Sequence, residues 1–177
     1  MNDSVSDSAF PDVRWGSDTS FLRRPATAFA ATRLGSWTIR SLAGVDRRLL
    51  TRSKGRFTVL GPIGAPTVLL NTVGRKSGQR RTSPLLYVRD ADRLVVVGSN
   101  FGQQHHPAWT SNLLAQPEAS VTMAGRDIPV LATPVTGAEK DRLYRRFVEL
   151  AGAYAVYRGR TDRDLRMFVL TRRCVTV

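Results

Sequence analysis

The chain of 177 residues is long enough for one folded domain with a substantial core. Its hydrophobic content of 42% is typical of a soluble globular protein, and no apolar run approaches the length of a membrane span. The formal net charge is +13, and only Lys54, Lys76 and Lys140 of the 27 basic residues are lysines. Because arginine forms bidentate pairs with phosphate and carboxylate, this composition favours an anionic partner. A GC-rich genome and a need for solubility would also explain much of the arginine bias.

The first 60 residues differ in composition from the rest of the chain. Residues 1–20 are rich in serine and aspartate and have little to bury, so we expect them to be disordered. Residues 21–60 predict a basic helical extension, in which Ala26, Phe29 and Leu34 lie on an apolar stripe with helical spacing.

The helix expected within residues 25–50 has two open interpretations. It can bind an anionic membrane surface through its basic face, or it can pack its apolar stripe on its own domain. The N-terminus lacks the basic and then apolar order of a signal peptide, and Cys174 is the only cysteine. We therefore expect a cytoplasmic protein, at the inner face of the cell membrane if the helix binds lipid.

Residues 61–177 have the pattern of a small antiparallel barrel. Short runs rich in valine, leucine, threonine and tyrosine are bounded by turn residues, which is typical of strands in a meander. The predicted strands are Thr67–Val73, Arg81–Val88, Leu94–Ser99, Ala119–Met123, Ile128–Pro134 and Arg166–Leu170. One helix is expected from Pro107 to about Ala115, and another opens at a capping box, Thr136 to Glu139. Six strands with few long crossovers predict an α+β fold, a closed or nearly closed barrel with peripheral helices.

The turn after the first strand is the first candidate site. Gly74 and Gly78 enclose Arg75, Lys76 and Ser77, and two more arginines follow at once. Glycines allow successive backbone N–H groups to converge on an anion, and the side chains add charge. An ordinary solvated hairpin turn explains the same residues equally well. The spacing is neither that of a P-loop nor that of a Rossmann dinucleotide motif.

Two further features lie beyond the third strand. The loop from Gly98 to Gly102 combines flexible glycines with polar and aromatic side chains, a composition suited to a flat polar ligand. Tyr154 and Tyr157 lie three residues apart in a segment of small residues, so that on a helix they share a face. They either pack in the core or line a pocket. Adjacent histidines without nearby cysteine or carboxylate groups make a poor metal site, so no metal is expected.

Three stretches together resemble the deazaflavin-dependent nitroreductase family of actinobacteria. They are the run from Thr72 to Leu85, the run from Val96 to Gly102, and the run from His106 to Leu113, which continues to Gln116-Pro117. The resemblance covers about residues 67–172, in the same strand and loop order. It implies a split β-barrel that binds coenzyme F420, a deazaflavin with a phosphate and a polyglutamate tail.

The resemblance also implies a set of site residues. The anionic tail would lie at the basic turn, and the deazaflavin ring would lie between the second strand, the loop after the third strand and the following helix. The implied cofactor contacts are Arg75, Lys76, Ser77, Arg81, Thr82, Ser83, Pro84, Leu85, Leu86, Val97, Gly98, Ser99, Asn100, Ala108, Trp109, Thr110, Ser111, Asn112 and Tyr154. The implied catalytic residues are Tyr154, Ser99 and Tyr157, while Ala151 stands near the place of a third pocket tyrosine.

The leading hypothesis is therefore an F420H2-dependent oxidoreductase. It would transfer a hydride from the reduced deazaflavin to an electron-poor small molecule such as a quinone, an enone or a nitro compound. One alternative is a basic nucleic-acid-binding domain, which the net charge favours but no recognised motif supports, so we expect no nucleic-acid partner. Another alternative is a split barrel that binds FMN. We expect a homodimer as one oligomeric state.

Overall fold

The structure is a computed structural model, and it describes residues 10–11 and 66–173. Six antiparallel strands are present in this part of the chain. They are β1 (Thr67–Val73), β2 (Arg80–Asp90), β3 (Arg93–Val97), β4 (Glu118–Met123), β5 (Arg126–Pro134) and β6 (Met167–Arg172). They close into a barrel in the order β1-β2-β3-β6-β5-β4. This confirms the predicted α+β fold built on a closed split barrel.

Three helices and one 3₁₀ turn complete the described fold. They are α1 (Ala108–Ala115), α2 (Gly137–Leu150), α3 (Ala153–Gly159) and the turn Asn100–Gly102. The prediction of a capping box before α2 is wrong, because the Thr136 side chain makes no capping hydrogen bond. Gly137 has a φ of 60°, so the chain enters the helix through a left-handed glycine instead.

The strand register separates the two ends of the barrel. Val73 pairs with Arg80 across the glycine-rich turn, whereas Asp90 pairs with Arg93 across the next hairpin. These two turns therefore lie at opposite ends of β2. Since β3 runs back from the second hairpin, the loop that follows it returns to the end where the glycine-rich turn lies.

The hairpin between β2 and β3 is tighter than its sequence predicts. Only Ala91 and Asp92 form the turn, and Ala91 takes a left-handed φ of 56°. Asp90 belongs to β2 and is buried, with 8% of its surface exposed. The predicted strands end at Val88 and begin again at Leu94, so the sequence left this carboxylate outside the strands, whereas the structure places it inside β2.

Hydrophobic side chains form two clusters that share β3. Leu94 and Val96 point into the barrel, where they pack with residues such as Leu70 and Phe168. Val95 and Val97 alternate with them and point to the other face, under the helices. Their partners there are Leu143, Phe147, Tyr154 and Tyr157, among others. The helices α2 and α3 therefore cover one outer wall of the barrel.

Phe10 also belongs to the barrel core. It is 3% exposed and packs in the same cluster as Leu70. The guanidinium of Arg89 donates a hydrogen bond to the Phe10 carbonyl at 3.0 Å and another to the Pro11 carbonyl. The expectation of disorder is therefore wrong at these two positions. The rest of residues 1–20, the helical extension at 21–60 and Cys174 lie outside the described residues.

Candidate functional site

The glycine-rich turn closes on itself. The Gly74 N–H donates to the Gln79 carbonyl at 2.8 Å, and the N–H groups of Ser77 and Gly78 both donate to the Gly74 carbonyl. A Cβ at Gly74 would lie 3.3 Å from the Gln79 carbonyl oxygen and 2.7 Å from the Ser77 Oγ, so a larger residue there would make the Ser77 side chain move. The predicted nest of free backbone N–H groups is not formed, because these donors are used within the turn.

The side chains of the turn remain available for an anion. Arg75, Lys76 and Arg81 are exposed, whereas Arg80 is paired with Asp127 at 2.7 Å. Among the residues that the structure describes, the first three form no ion pair. A cluster of three uncommitted cations suits a phosphate with a carboxylate tail, so the donor set fits the anionic part of F420.

Asn112 fixes this turn to helix α1. Its Oδ1 accepts a hydrogen bond from the Arg75 N–H at 3.2 Å, and its Nδ2 donates to the Thr72 Oγ1 at 3.1 Å. The basic turn and α1 are therefore at the same end of the barrel, as the implied site requires.

The side chains of α1 have unequal access to a ligand. The Trp109 ring is buried in the barrel, 5.8 Å from the ring of Phe168. Thr110 is fully buried and its hydroxyl donates to the Pro107 carbonyl, while Ala108 is exposed. The Ser111 hydroxyl accepts a hydrogen bond from Arg166 at 3.0 Å. Because the side chains of Trp109 and Thr110 pack inside the protein, a cofactor contact from α1 is expected from the neighbouring Ala108 and Ser111.

Strand β2 supplies a partly open wall. Its side chains from residue 82 to 86 are all half-buried, in contrast to the buried Tyr87 that follows. The Thr82 hydroxyl donates to the Asn71 Oδ1 at 2.7 Å, and the remaining members are Ser83, Pro84, Leu85 and Leu86. Because side chains alternate between the two faces of a strand, Leu85 packs against the barrel core and Leu86 against the cluster under the helices. Both faces of this segment are therefore partly open.

The loop after β3 adopts a strained left-handed turn. Asn100, Phe101 and Gly102 have φ values of 46°, 55° and 75° in succession. Such a φ is an outlier for a bulky residue, and strain of this kind is retained where the surroundings over-determine the backbone. Gly98 precedes the turn, and a Cβ there would lie 2.6 Å from the Thr110 Cγ2. The close approach of this loop to α1 thus depends on glycine.

Ser99 and Tyr154 meet beneath this loop. Ser99 is 8% exposed and Tyr154 is 7% exposed, so both hydroxyl-bearing side chains are buried. Burial raises the pKa of Tyr154 above its ordinary value, Tyr157 and Tyr144 raise it further, and the neighbouring Ser99 hydroxyl partly opposes this. The phenol is therefore protonated at neutral pH and can donate a hydrogen bond. We call these two residues the hydroxyl pair.

Helix α3 places the two predicted tyrosines on one face. The rings of Tyr154 and Tyr157 lie 5.7 Å apart, and Tyr157 lies 5.8 Å from the ring of Phe101 in the left-handed turn. The Tyr144 hydroxyl donates to the Tyr154 carbonyl at 2.7 Å, and burial raises the pKa of Tyr144 to about 12. The shared face is confirmed, and both predicted tyrosines are almost completely buried.

Arg163 is a site residue that the sequence did not reveal. It lies between α3 and β6, and its guanidinium donates to carbonyls of the loop after β3. A lone arginine in a chain with 27 basic residues carries no distinguishing signal.

A cavity of about 320 Å³ lies between helix α2 and the segment that leads from α3 to β6. Its lining includes Tyr144 and Arg163, together with charged residues of α2 and of the loop before β6. None of the predicted site residues lines it. Within the described part of the chain, no group of three or more potential metal ligands is present.

The basic turn, the half-buried strand wall and the hydroxyl pair occupy one end of a split barrel, which is the arrangement expected of a deazaflavin-dependent reductase. Residues 39–172 match the family model described as F420H(2)-dependent quinone reductase. This match spans more than half of the chain, and the chain belongs to the F420H(2)-dependent quinone reductase family.

Relatives support this assignment. An F420H(2)-dependent quinone reductase of Mycobacterium tuberculosis is 35% identical over 126 residues, which cover 68% of this chain and 83% of the relative. A solved F420-H2 dependent reductase is 34% identical with a TM-score of 0.55, covering 59% of this chain and 93% of that one. A second structure, described as a domain-swapped dimer, is 31% identical with a TM-score of 0.56, covering 70% of this chain and 95% of that one.

The protein is therefore an oxidoreductase with coenzyme F420 as its cofactor. The leading hypothesis is confirmed over the FMN-binding and nucleic-acid-binding alternatives, since neither of those is the family activity. Among the described helices, none has both the length and the apolar character needed to cross a membrane.

Proposed function

We propose that this enzyme reduces a quinone, and that the hydroxyl pair of Ser99 and Tyr154 stabilises the charge that develops on a quinone oxygen. The observation that carries this proposal is the burial of both hydroxyls where helix α3 packs on the strained turn, with Tyr157 against Phe101 and Tyr154 beside Tyr157. This place lies at the end of the barrel that bears the basic turn. Polar hydroxyls rarely cluster in an apolar wall without a role, because each needs a partner when buried.

The cofactor's anionic tail would be held by Arg75, Lys76, Ser77 and Arg81. Their charges are exposed at the turn, and the turn itself is rigid because its N–H groups are internally bonded. When bound, reduced F420 supplies a hydride, since a deazaflavin has carbon where a flavin has the reactive nitrogen. The half-buried wall of β2 and the loop after β3 orient the acceptor and exclude water from it.

The protons and charges of quinone reduction indicate what the hydroxyl pair would do. A quinone that gains a hydride becomes a hydroquinone anion, and one proton then completes the hydroquinone. Because burial raises the pKa of Tyr154, full proton loss from this phenol is unfavourable, so it acts as a hydrogen-bond donor to the oxyanion. The proton that completes the product then comes from solvent after the charge has been stabilised.

Substitution of each member of the pair tests this function. Tyr154→Phe removes one donor from a well-ordered site, for which turnover falls on the order of 10²-fold in comparable cases. Ser99→Ala is expected to lower turnover in the same direction. The dissociation constant of F420, measured by its fluorescence without acceptor, should stay unchanged in both variants. Wild-type turnover of F420H2 with a quinone in both variants would refute the role of the pair.

A quinone is favoured as the acceptor because the matched family is described as a quinone reductase. Enones and nitro compounds present a similar electron-poor centre, and Ala151 leaves more space than a tyrosine would. Reduction of a nitroaromatic compound in parallel with a quinone compares these classes. A higher kcat/KM for the nitro compound would overturn the choice of a quinone.

Two further partners are part of the proposal. A homodimer is supported by the solved structure described as a domain-swapped dimer, at 31% identity. Peripheral binding to an anionic membrane through residues 25–50 rests on the basic amphipathic pattern of that segment alone. Light scattering of the purified enzyme tests the first, and a monomer at all concentrations would contradict it.

A further inference from the structure

The guanidinium of Arg163 forms hydrogen bonds with several groups of the loop after β3. Its Nη2 donates to the carbonyls of Gly98 at 3.0 Å and Ser99 at 2.6 Å, and its Nε donates to the Gln103 carbonyl at 2.7 Å. Its Nη1 lies 3.0 Å from the His106 Nδ1. One side chain thus bonds to four groups that precede and follow the left-handed turn.

The same carbonyls and their neighbours show how the loop is held. The Gly102 N–H donates to the Ser99 carbonyl at 2.9 Å, so this oxygen accepts from both the turn and Arg163. The Gly98 N–H donates to the Arg166 carbonyl at 2.8 Å. Without a cation at the centre, the carbonyls of Gly98, Ser99 and Gln103 would lose a shared donor, and the left-handed backbone would lose part of its support.

We propose that Arg163 is a positioning residue that holds the Ser99 side chain against Tyr154 by fixing the carbonyls on both sides of the strained turn. The hydrogen bonds of Arg163 within the described residues go to the loop after β3 and to His106, and one of them is to the Ser99 carbonyl, so it would act through Ser99. This inference rests on the proposed function, in which the hydroxyl pair contacts the acceptor.

Arginine is specifically suited to this position. Its guanidinium has five N–H donors in a fixed planar fork, and four acceptors surround it here. A lysine at the same place keeps the charge but has only one donor atom. It can bond to the Ser99 carbonyl or to His106, but it cannot span Gly98 and Gln103 together. We therefore expect Arg163→Lys to restore function only in part.

A double-substitution cycle separates positioning from a general structural role. Arg163→Gln and Ser99→Ala are each expected to lower turnover of F420H2 with a quinone by about ten-fold or more, in line with loss of an oriented donor. If Arg163 acts through Ser99, the turnover of the combined variant should be no lower than that of the less active single variant. The two losses would then not add, as is expected for coupled residues. Arg163→Lys should fall between wild type and Arg163→Gln. Losses that multiply in the combined variant would overturn the proposal.

Hydrogen exchange of the protein without cofactor gives a second readout. The Gly102 amide is protected by the Ser99 carbonyl, and it should exchange at least about ten-fold faster in Arg163→Gln because the loop opens locally. The Gly78 amide, bonded within the basic turn, is the internal reference and should not change. Unchanged exchange at Gly102 in both Arg163 variants would contradict the proposal.

Arg173→Lys is the matched control. Arg173 is exposed and paired with Glu118 at 2.9 Å, away from the hydroxyl pair in sequence and contacts, so turnover should stay at the wild-type value. Wild-type turnover in both Ser99→Ala and Tyr154→Phe would instead refute the proposed function, and the exchange of Gly102 would still decide whether Arg163 holds the loop.

Discussion

We expect the conservative substitution Asp90→Asn to cause a large loss of folding stability. Its carboxylate is 11% exposed and accepts hydrogen bonds from Arg93, from Arg142 at 2.9 Å to each oxygen, and from Arg146 at 3.0 Å. It thereby pins helix α2 to the β2–β3 hairpin. Asp90→Asn keeps the volume but removes the charge and leaves an amide nitrogen facing three guanidinium groups.

The arginines limit the size of this effect. Arg142 and Arg146 are 47% and 44% exposed at their side chains, so part of each attraction is screened by water. Losing charge-assisted hydrogen bonds of about 1.5–3 kcal/mol each, discounted for this screening, gives a destabilisation of about 2–3 kcal/mol. At this chain length, that corresponds to a Tm lower by roughly 4–12 °C.

The pH dependence gives a sharper form of the same prediction. The Arg142 guanidinium and its neighbours hold the pKa of Asp90 far below its ordinary value, despite the opposing effect of burial. A carboxyl with a lowered pKa stabilises the fold above its unfolded pKa of 3.8 and loses that contribution as the pH falls toward the folded pKa. The difference in unfolding free energy between wild type and Asp90→Asn should therefore be full at pH 7 and smaller at about pH 3.

Urea unfolding followed by circular dichroism at both pH values measures this difference. Asp141→Asn is the control, since its pair with Arg158 is about 60% exposed on both sides and is expected to contribute about 0–1 kcal/mol. Equal stability of Asp90→Asn and Asp141→Asn at pH 7 would refute the reasoning about the buried carboxylate.

Three further predictions concern binding and turnover. The double variant Arg75→Ala with Lys76→Ala should bind F420 about 10- to 100-fold more weakly than wild type. Added salt should weaken F420 binding by wild type more than by the variant. An unchanged dissociation constant in the variant would contradict the assignment of the cofactor's tail to this turn. Tyr157→Phe should mainly raise the KM for the quinone and leave kcat near wild type, so a fall in kcat alone would assign it to the chemical step. If residues 25–50 bind lipid, glutamine at four arginines should abolish co-sedimentation with anionic vesicles at low salt, and equal sedimentation removes the membrane interpretation. These arginines are Arg33, Arg40, Arg47 and Arg48.

The vesicle experiment uses substitutions because of Phe10. A version that lacks the first 50 residues would also lose this core side chain and its bonds to Arg89, so lower stability would obscure any effect on lipid binding. Charge substitutions leave Phe10 in place.

The barrel could be predicted from the sequence because each strand is indicated by residues that are close together in the chain. The bounds of β1 are those predicted, and the other strands differ by at most two residues at either end, where turns and strand ends have similar composition. The shared face of Tyr154 and Tyr157 follows from helical spacing alone. Such features depend on residues close together in the chain.

The features that sequence reasoning missed depend on contacts between distant residues. Asp90 looked like a turn residue because its partners on α2 lie more than 50 positions away. Arg163 is 64 positions from Ser99 in the chain, and no local sequence pattern predicts that they are in contact. At the basic turn, the N–H groups of Gly74, Arg75, Ser77 and Gly78 are bonded to Asn112 or to carbonyls of the turn rather than left free for an anion. Side-chain networks of this kind emerge only once the fold brings the elements together.

The central claim is tested most directly by mixing the purified enzyme with F420H2 and a quinone while following the return of oxidised F420 fluorescence. The account predicts enzyme-dependent oxidation that requires the quinone and saturates with both substrates. Replacing F420H2 by reduced FMN under the same conditions should give no enzyme-dependent rate. No oxidation of F420H2 above the buffer rate, or faster turnover with reduced FMN, would contradict it.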